Sequence, residues 1–357
     1  SDAFRRGLRY GDEIESFGGR RVRTTNAFKN VLGIFPKGWR VPLTFRHEGK
    51  LYETHVRLTG VHREGELAQK IAGQGQPRPA QPRPRPGQPQ PEKPEPGKPM
   101  PKDEDQKPAD DGEGGDGEGG DGEGEGEEHP LPMMPGNRKN QKLPEVVAKL
   151  YEAKEGYANY YFNRINQERI WERLVAQGDF SSFQGNWALS LEAAGGLDNK
   201  FEIGNELLVA TLPGGKAEMP IDPKAPNLGT NLDPLGSGGL FSTLYLWRRF
   251  MIEGISGFGN VYYQGTMPIP GQEGLFDCLV GVYGGVECHF MFDTQQGRLV
   301  LMEMFSNPGL DPCEIHFLDY QEKDGRLTPG RMEVRYGDSV FQVYKVNDLS
   351  LAKTAEG

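Results

Sequence analysis

The feature that most constrains this fold is a long central stretch that cannot build a hydrophobic core. Residues 77–101 contain eleven prolines, and residues 103–128 consist almost entirely of glycine, aspartate and glutamate. Neither composition can bury enough apolar surface to offset the loss of chain entropy on folding. We therefore predict a disordered linker over residues 67–142, Pro-rich and then Gly/Asp/Glu-rich, between folded segments at 1–66 and 143–357.

The acidity of the chain is confined to this linker. Residues 103–128 carry thirteen Asp and Glu against one Lys, a charge of −12, whereas the whole chain carries −10, so the remainder is about +2. Residues 1–70 are mildly basic, with fourteen Lys and Arg against eight Asp and Glu. No nucleic-acid recognition module accompanies these charges, so we predict no nucleic-acid partner.

The acidic repeat "DGEGGDGEGG" at residues 111–120 does not have the spacing of a calcium site. An EF-hand loop needs oxygen ligands at its positions 1, 3 and 5, and here glycine stands at position 5 counted from each Asp. A flexible charged spacer explains the repeat, and we predict no cofactor and no metal.

No part of the sequence approaches the roughly 20 consecutive apolar residues that cross a bilayer, so we predict no transmembrane segment. The chain begins without methionine on what looks like the middle of a domain. We therefore expect the sequence to be a fragment of a longer protein.

The N-terminal segment reads as a small α+β unit. Glycines at positions 7, 11, 18 and 19 predict turns around two short strands. Thr24 or Thr25 is the predicted N-cap of a short amphipathic helix. A β-hairpin follows, with alternate apolar residues at 41, 43 and 45 on one face.

This order of motifs resembles the C-terminal part of a PDZ domain of the kind found in HtrA/DegP-type serine proteases. The resemblance rests on Gly-Leu-x-x-Gly-Asp-x-Ile at residues 7–14, Gly19-x-x-Val22, the short helix, and Gly38-Trp-x-Val before an Arg-x-x-Gly hairpin. It covers residues 1–60, and the alternative is a generic α+β hairpin unit. The residues that match the PDZ turn are Gly7, Gly11, Asp12 and Gly19.

The resemblance implies a peptide site in which a peptide adds as a strand beside a helix. The helix wall of that groove corresponds to Thr24, Ala27, Phe28, Val31 and Leu32. The strand and loop that complete the groove in this family precede the stretch with which the chain begins. We therefore expect the PDZ groove to be incomplete in this chain.

The C-terminal segment is predicted to be a mainly antiparallel β domain with one or two helices, so the fold class is α+β. A helix starts at Pro144, and a second helical or extended stretch follows a break near Gly156. One strong internal helix begins at Leu240, with its apolar positions on one side. Regular turn signals separate six strands, which predict a curved open sheet or a half barrel, at 275–283, 286–292, 299–305, 313–320, 332–336 and 340–346.

The stretches "FMFDTQQGRLVLMEMF" and "FLDYQEKDGRLTPGRMEV" resemble the lipoprotein-localisation factors LolA and LolB. The shared pattern is a strand that ends at Phe292-Asp293, a Gly-Arg-Leu strand, and a hairpin before the last strands. The resemblance covers residues 143–350 and implies an open β-barrel with a helix in its mouth that binds acyl chains or other apolar ligands. The alternative is an aromatic-rich β core without a ligand.

Ser237 is the weak catalytic candidate, because Ser237-Gly238-Gly239 matches the second half of the nucleophile motif of trypsin-like proteases. Leu235 stands where the first glycine of that motif belongs, and no Gly-x-Ser-x-Gly elbow is present. We interpret Ser237 more simply as the N-cap of the helix at Leu240. The expectation is that no catalytic residue lies in this chain.

The pairs Cys288-His289 and Cys313 with His316 are the candidate metal ligands. Neighbouring residues of a strand, and residues three apart, point to opposite faces, so each pair offers at most one ligand to any one face. Buried strand residues are the better interpretation, and the register places Cys278 opposite Met291, which predicts no disulfide there.

Taken together, these patterns predict a non-catalytic binding and tethering region of an HtrA/DegP-like serine protease, which recruits a peptide or protein substrate, a lipid or an envelope partner. The family resemblance implies a periplasmic or otherwise extracytoplasmic location. One alternative is a serine hydrolase that uses Ser237, and another is a structural scaffold that packs on a partner subunit.

Overall fold

The computed structural model describes residues 1–59, 144–225, 228, 234, 236–307 and 309–353. The predicted linker at 67–142 lies outside the described residues. Among these residues, no helix is long and apolar enough to cross a membrane.

The N-terminal segment forms a four-stranded sheet with two short helices. In chain order its elements are α1 (Asp2–Arg5), β1 (Glu13–Phe17), β2 (Arg20–Arg21), α2 (Thr25–Leu32), β3 (Arg40–His47) and β4 (Lys50–Arg57). The strand order is β2-β1-β3-β4, so β2 and β4 are the edges. These elements agree with the predicted turns, helix and hairpin.

A small apolar core holds this segment together. Val41, Leu43 and Phe45 are each at most 2% exposed, as the alternating pattern of β3 predicts. They pack with Phe17 of β1 and Val56 of β4. Thr24 is the N-cap of α2, because its side-chain oxygen accepts a hydrogen bond from the Ala27 amide at 3.1 Å.

The C-terminal segment contains three helices, where one or two were predicted, and thirteen strands among the described residues. The helices are α3 (Glu145–Ala148), α4 (Tyr161–Val175) and α5 (Leu240–Phe258). The first strands are β5 (Trp187–Ala193), β6 (Leu197–Ile203), β7 (Leu207–Leu212), β8 (Gly215–Pro220), β9 (Asn260–Met267) and β10 (Phe276–Tyr283). The others are β11 (Val286–Asp293), β12 (Leu299–Phe305), β13 (Cys313–Leu318), β14 (Gln321–Lys323), β15 (Arg326–Thr328), β16 (Arg331–Tyr336) and β17 (Ser339–Leu351).

Eleven of these strands form one antiparallel sheet in the order β8-β7-β6-β5-β17-β16-β13-β12-β11-β10-β9. Within the part of the chain that the structure describes, the sheet stays open and uncurled, with β8 and β9 at its edges. The prediction that the sheet is open is therefore confirmed, but neither the predicted curvature nor the half barrel is observed. The six strands predicted from turn spacing are all present, and Cys278 lies opposite Met291 as the register predicts.

Helix α5 covers one face of this sheet, which we call the inner face. Its apolar positions Leu240, Leu244, Trp247, Phe250 and Met251 are all buried, as predicted. The ring of Phe250 stacks on Phe290 of β11 at 4.0 Å between centroids. Aromatic contacts of this kind fill the space between helix and sheet with close-packed side chains.

Ser237 does not cap α5, so that prediction was wrong. The N-cap is Gly239, whose φ of 87° lies in the left-handed region, and no side chain caps the helix there. Two glycines in succession let the chain turn tightly into the helix, and a serine two residues earlier lies outside the capping position.

The described residues of both segments belong to one compact unit, which takes in residues 1–59 and those from 144 onward. The N-terminal sheet contacts the C-terminal one directly, through the hydrogen bond from Trp39 to Thr266 and the ion pair of Arg40 with Glu314.

Candidate functional site

The N-terminal segment lies against the outer face of the large sheet, the face opposite α5. Apolar residues of that face form a cluster to which Trp39 contributes, and Trp39 also packs against the N-terminal core. The Trp39 indole N–H donates to the backbone oxygen of Thr266 in β9 at 3.1 Å. One large aromatic side chain thus joins the two apolar clusters.

Charged side chains occupy the rest of the outer face beneath the N-terminal segment. The strand register places Glu303 of β12 between His289 of β11 and Glu314 of β13. Both carboxylates are at most 1% exposed. Burial of a carboxylate is costly unless the carboxylate is paired, so Glu303 and Glu314 each need a partner on the outer face.

Arginines of the N-terminal segment supply those partners. Arg57 of β4 pairs with Glu303, and Arg40 of β3 donates to Glu314 at 2.9 Å. At the rim, Arg6 forms an ion pair with Asp311 at 2.8 Å between Nη2 and Oδ1. Three arginines of the N-terminal segment thus pair with acidic residues on the large sheet or at its rim.

His289 lies between two of these carboxylates. Its Nδ1 is 3.1 Å from Glu303 Oε2 and its Nε2 is 2.9 Å from Glu287 Oε1. Burial works against the charged imidazole, but the hydrogen bonds to Glu287 and Glu303 outweigh it and raise the pKa of His289. Burial likewise opposes the ionised form of Glu303, yet Arg57 and then His289 hold the pKa of Glu303 below its ordinary value.

A polar cleft of about 460 Å³ opens between β4 and the outer face of the large sheet. We define the polar cleft by its lining residues, which come from β3, β4, the β9–β10 loop, β13, β16 and the β16–β17 turn. They are Arg40, Glu53, Thr54, His55, Pro270, Gly271, Gln272, His316, Leu318, Arg331, Glu333, Arg335 and Asp338. Its volume falls within the range of about 300–1,000 Å³ that small-ligand sites occupy.

His316 is the buried polar group of this cleft. The residue is 7% exposed, and its Nε2 has no hydrogen-bond partner in the described part of the chain. The nearest carboxylate oxygen, Glu314 Oε2, lies 3.6 Å away and is also without a partner among the described residues. Buried polar atoms without partners are rare, and each one calls for an explanation.

Two arginines of β16 present free guanidinium nitrogens to the cleft. Arg335 uses its Nε to reach Glu333 at 2.5 Å, and Arg331 uses its Nε to reach Asp319 at 2.7 Å. Their Nη atoms have no hydrogen-bond partner among the described residues, and Arg331 Nη1 comes only to 4.0 Å from Glu333. Terminal guanidinium nitrogens are the donors that bind a carboxylate or phosphate through two parallel bonds.

The opposite wall of the cleft is the free edge of β4. Leu58 N donates to Trp39 O at 2.9 Å, and the β3–β4 register carries no shift. Hydrogen-bonded pairs alternate along an antiparallel ladder, so the backbone groups of Glu53, His55 and Arg57 point away from β3. The outward amide of Arg57 donates to the Asp2 carboxylate at 2.5 Å. The outward amides of Glu53 and His55 have no hydrogen-bond partner in the residues described.

The imidazole of His55 stands at this edge and is half-buried. Its burial and the neighbouring Arg40 guanidinium lower the pKa of His55, although Asp338 acts in the opposite direction. His55 therefore holds its proton less readily than an ordinary histidine.

The predicted PDZ groove residues have other surroundings. Phe28 packs edge-on against Phe17 at 5.2 Å between ring centroids, and Val31 is buried in the N-terminal core. Thr24 caps α2, Ala27 is half-buried, and Leu32 is exposed. The structure does not bring these five residues into the polar cleft, because α2 packs on β1 rather than on the large sheet.

The residues that match the PDZ turn are structural. Gly7, Gly11 and Gly19 all have φ between 74° and 100°, a range that favours glycine. Asp12 accepts hydrogen bonds from the Arg9 amide at 2.7 Å and lies 2.6 Å from His47 Nδ1. Partial desolvation opposes the shift, but these contacts lower the pKa of Asp12.

Ser237 has no histidine or carboxylate partner among the described residues. Its Oγ accepts only a long bond of 3.4 Å from the Gly239 amide. A serine nucleophile needs a base within about 2.6–3.2 Å. The hydrolase alternative therefore gains no support from the geometry.

The candidate metal pairs divide between the two faces, as strand geometry predicts. Cys288 and Cys313 lie in the inner core, whereas His289 and His316 lie on the outer face. All three cysteines are free and buried, and burial raises the pKa of Cys313 to about 12. No cluster of three or more His, Cys, Asp or Glu within the described ranges has the arrangement of a metal site.

Two apolar cavities adjoin α5 on the inner side. One of about 20 Å³ is lined by residues that include Leu174, Trp247, Met251 and Leu299. The other, of about 30 Å³, lies beside Tyr245 and Leu246. Either volume is close to that of a single water molecule, so neither accommodates an acyl chain as the protein stands.

Sequence reasoning missed the polar cleft because its walls come from segments that lie more than 200 residues apart. Within the sequence, His316 stands out only as half of a candidate metal pair, and Arg331 and Arg335 look like ordinary strand residues. The one available signal was the alternation of charged residues at 331, 333 and 335, which is unusual for a strand covered on both faces.

Comparisons with known proteins give distant likenesses only. No known protein family matches the chain, and no curated protein is similar to it. A LolA superfamily protein of Nitrosomonas europaea shares 14% identity with a TM-score of 0.34, over 52% of this chain and 94% of that one. A domain of Vibrio parahaemolyticus described as an outer membrane lipoprotein-sorting protein shares 13% identity with a TM-score of 0.30, over 52% and 93%.

The first of these belongs to the family that residues 143–350 resemble. At such scores, neither likeness carries an argument about function, and nothing in the comparisons supports the PDZ assignment. The argument for function therefore rests on the geometry of the polar cleft.

Proposed function

We propose that this chain is a non-catalytic binding module and that the polar cleft is its ligand site. The observation that carries the proposal is the imidazole of His316, which lines the cleft and whose buried Nε2 has no hydrogen-bond partner among the described residues, with Glu314 Oε2 3.6 Å away. A buried polar atom left unpaired costs about 1–3 kcal/mol, so a ligand that supplies its hydrogen bond recovers that free energy on binding.

The arrangement suits binding better than catalysis. The cleft offers donors on β13 and β16 and unpaired backbone groups on β4, which are groups that hold and orient a ligand. Recruitment of a peptide or protein is the role we propose for it. Association with a PDZ-containing protease and an extracytoplasmic location remain proposals that follow from the sequence resemblances.

The test is ligand-observed NMR on the full chain with mixtures of peptides, fatty acids and small polar metabolites. Gln272→Trp places a bulky side chain in the cleft, and Gln295→Trp makes the same change at an exposed position on the β11–β12 turn. We expect at least one compound to bind the wild type and the Gln295→Trp protein but not the Gln272→Trp protein. Equal binding to all three proteins by every compound would refute the cleft as the ligand site.

Binding of an apolar ligand on the α5 side is the second candidate. It is favoured by the mostly apolar lining of the cavity beside Trp247 and Met251. Because that cavity holds about 20 Å³, the proposal requires α5 to move away from the sheet. Native mass spectrometry of the intact chain, followed by solvent extraction, tests it, since a bound lipid would appear as added mass.

The hydrolase alternative is tested by Ser237→Ala. We expect ester and peptide hydrolysis by the full chain to stay at the background level in both proteins. Activity that is present in the wild type and lost in the variant would establish the alternative.

A further inference from the structure

The free edge of β4 and the guanidinium groups of β16 face the same cleft. Three consecutive residues of β4, Glu53, Thr54 and His55, line it, which shows that the strand presents its edge rather than one face. The opposite side carries Arg331, Arg335 and His316, whose Nε2 makes no hydrogen bond to any described residue. From this juxtaposition we infer that the cleft binds an extended acidic peptide segment of a separate chain, which adds as a strand to β4.

The backbone of the peptide would pair with β4. The outward amides of Glu53 and His55, and the carbonyl groups beside them, have no partner within the described residues, so they are the ladder positions that an added strand would fill. Asp2 closes the ladder at Arg57, which limits the added strand to the cleft end of β4. Edge strands that stay uncovered readily pair with another chain.

The side chains of the peptide would be selected by charge. Of the carboxylates in the cleft, Asp338 is held by Arg40 at 2.9 Å and Thr54 at 3.1 Å, and Glu333 is held by Arg335. The Nη groups of Arg331 and Arg335 are left to bind incoming carboxylates. On the β4 side of the cleft, the exposed Glu53 would repel a carboxylate. The acidic residues of the peptide therefore belong on the side that faces β16.

Alternation within a strand makes that arrangement possible. Successive side chains of an extended peptide point to opposite sides, so acidic residues at every second position can all face β13 and β16. The imidazole of His316 lines the same side of the cleft as Arg331 and Arg335. The inference rests on the proposed function, since it names the ligand class of the same site.

The experiment is calorimetric titration of the full chain with a capped octapeptide of alternating threonine and glutamate. A second peptide carries glutamine in place of glutamate, and a third carries N-methyl groups on alternate backbone amides. We expect the glutamate peptide to bind at least tenfold more tightly than the other two. Its affinity should also fall at high salt, because the contacts with Arg331 and Arg335 are partly exposed.

Variants of the chain test the two parts of the inference separately. Arg331→Gln with Arg335→Gln should weaken binding of the glutamate peptide at least tenfold, whereas Arg20→Gln on the far edge strand β2 should leave it unchanged. His55→Pro removes an outward amide at a position where an edge strand tolerates proline, so it should weaken binding at least tenfold more than His55→Ala, which keeps that amide. If His55→Pro does not fold, the N-methylated peptide answers the same question.

The possible results separate this inference from the proposed function. Equal binding of the glutamate and glutamine peptides would overturn the acidic specificity, and equal binding of the N-methylated peptide would overturn strand addition. If no peptide binds, but another class of compound binds the wild type and not the Gln272→Trp protein, the inference is wrong and the proposed binding function stands. If no peptide binds and no other compound binds in a way that depends on the cleft, both the inference and the proposed function are wrong.

Discussion

Arg57 and Glu303 form a buried ion pair although 246 residues separate them in the chain. The carboxylate is at most 1% exposed, and the guanidinium also donates to the Gly38 carbonyl at 3.2 Å. The pair joins β4 to β12 and thus the N-terminal sheet to the outer face of the large one. Removal of this ion pair has a predictable effect on stability.

Arg57→Ala should destabilise the protein by about 3–5 kcal/mol, because it leaves Glu303 buried without its cation. The measurement is the free energy of unfolding in urea. Arg46→Ala is the matched control, since Arg46 pairs with Glu15 on the surface at 3.0 Å and its loss should cost about 0–1 kcal/mol. Equal losses in the two variants would mean that the Arg57 pair contributes no more than a surface contact.

His289 should make stability fall as pH rises above neutrality. The pKa of His289 is raised from 6.5 in the folded state, so its contribution is complete below pH 6.5 and is lost as pH rises through the folded value. Glu303 and Glu287 have lowered pKa values, so their contributions are lost only on acidification below 4.5. The decline above pH 6.5 therefore belongs to His289.

The check is the urea midpoint of the wild type and of His289→Gln from pH 5.5 to pH 9. We expect the variant to have a flatter profile. His55→Gln is the opposing control: the pKa of His55 is lowered, so its own contribution rises with pH and its removal should steepen the decline. A wild-type midpoint that does not change over this range would contradict the assignment to His289.

Gly254→Ala should disrupt α5. Gly254 has φ 67° and ψ −171°, a conformation that is essentially restricted to glycine, and an added Cβ would lie 2.8 Å from the Trp171 ring. We expect a loss of about 2–4 kcal/mol, measured by thermal or urea unfolding, from the combined strain and overlap.

Gly195→Ala is the matched control for this change. Its φ is 85°, but nothing lies within 4 Å of the added Cβ, so it should show the backbone cost alone, about 1 kcal/mol. If the two variants lose the same stability, the contact with Trp171 has no energetic weight.

The two folded segments should stay associated after the chain between them is cut. A protease site inserted near residue 100 would yield two fragments that share the Arg57 and Arg40 ion pairs and the Trp39 contact. We expect them to elute together in size-exclusion chromatography at 0.15 M salt. Separate elution of the fragments under these conditions would show that the segments are held together only by the linker.

Local features of the fold could be predicted from the sequence because their causes are local. The alternation of Val41, Leu43 and Phe45 identifies a strand with one buried face, and the apolar side of α5 identifies a buried helix. Glycine pairs between strands gave the turns of the large sheet, and a side-chain oxygen at Thr24 gave the start of α2. The capping role of Ser237 was the local prediction that failed.

The sequence by itself determined the helix that begins at Leu240, the six strands between residues 275 and 346 and the buried face of β3, since periodicity and turn chemistry act over a few residues. It did not predict that β5 pairs with β17. Tertiary structure alone decided that Arg57 and Arg40 neutralise Glu303 and Glu314, and that β4 leaves one edge open beside His316. These ion pairs form only because the N-terminal segment covers the outer face of the large sheet. Buried charges favour that position through contacts between residues far apart in the chain.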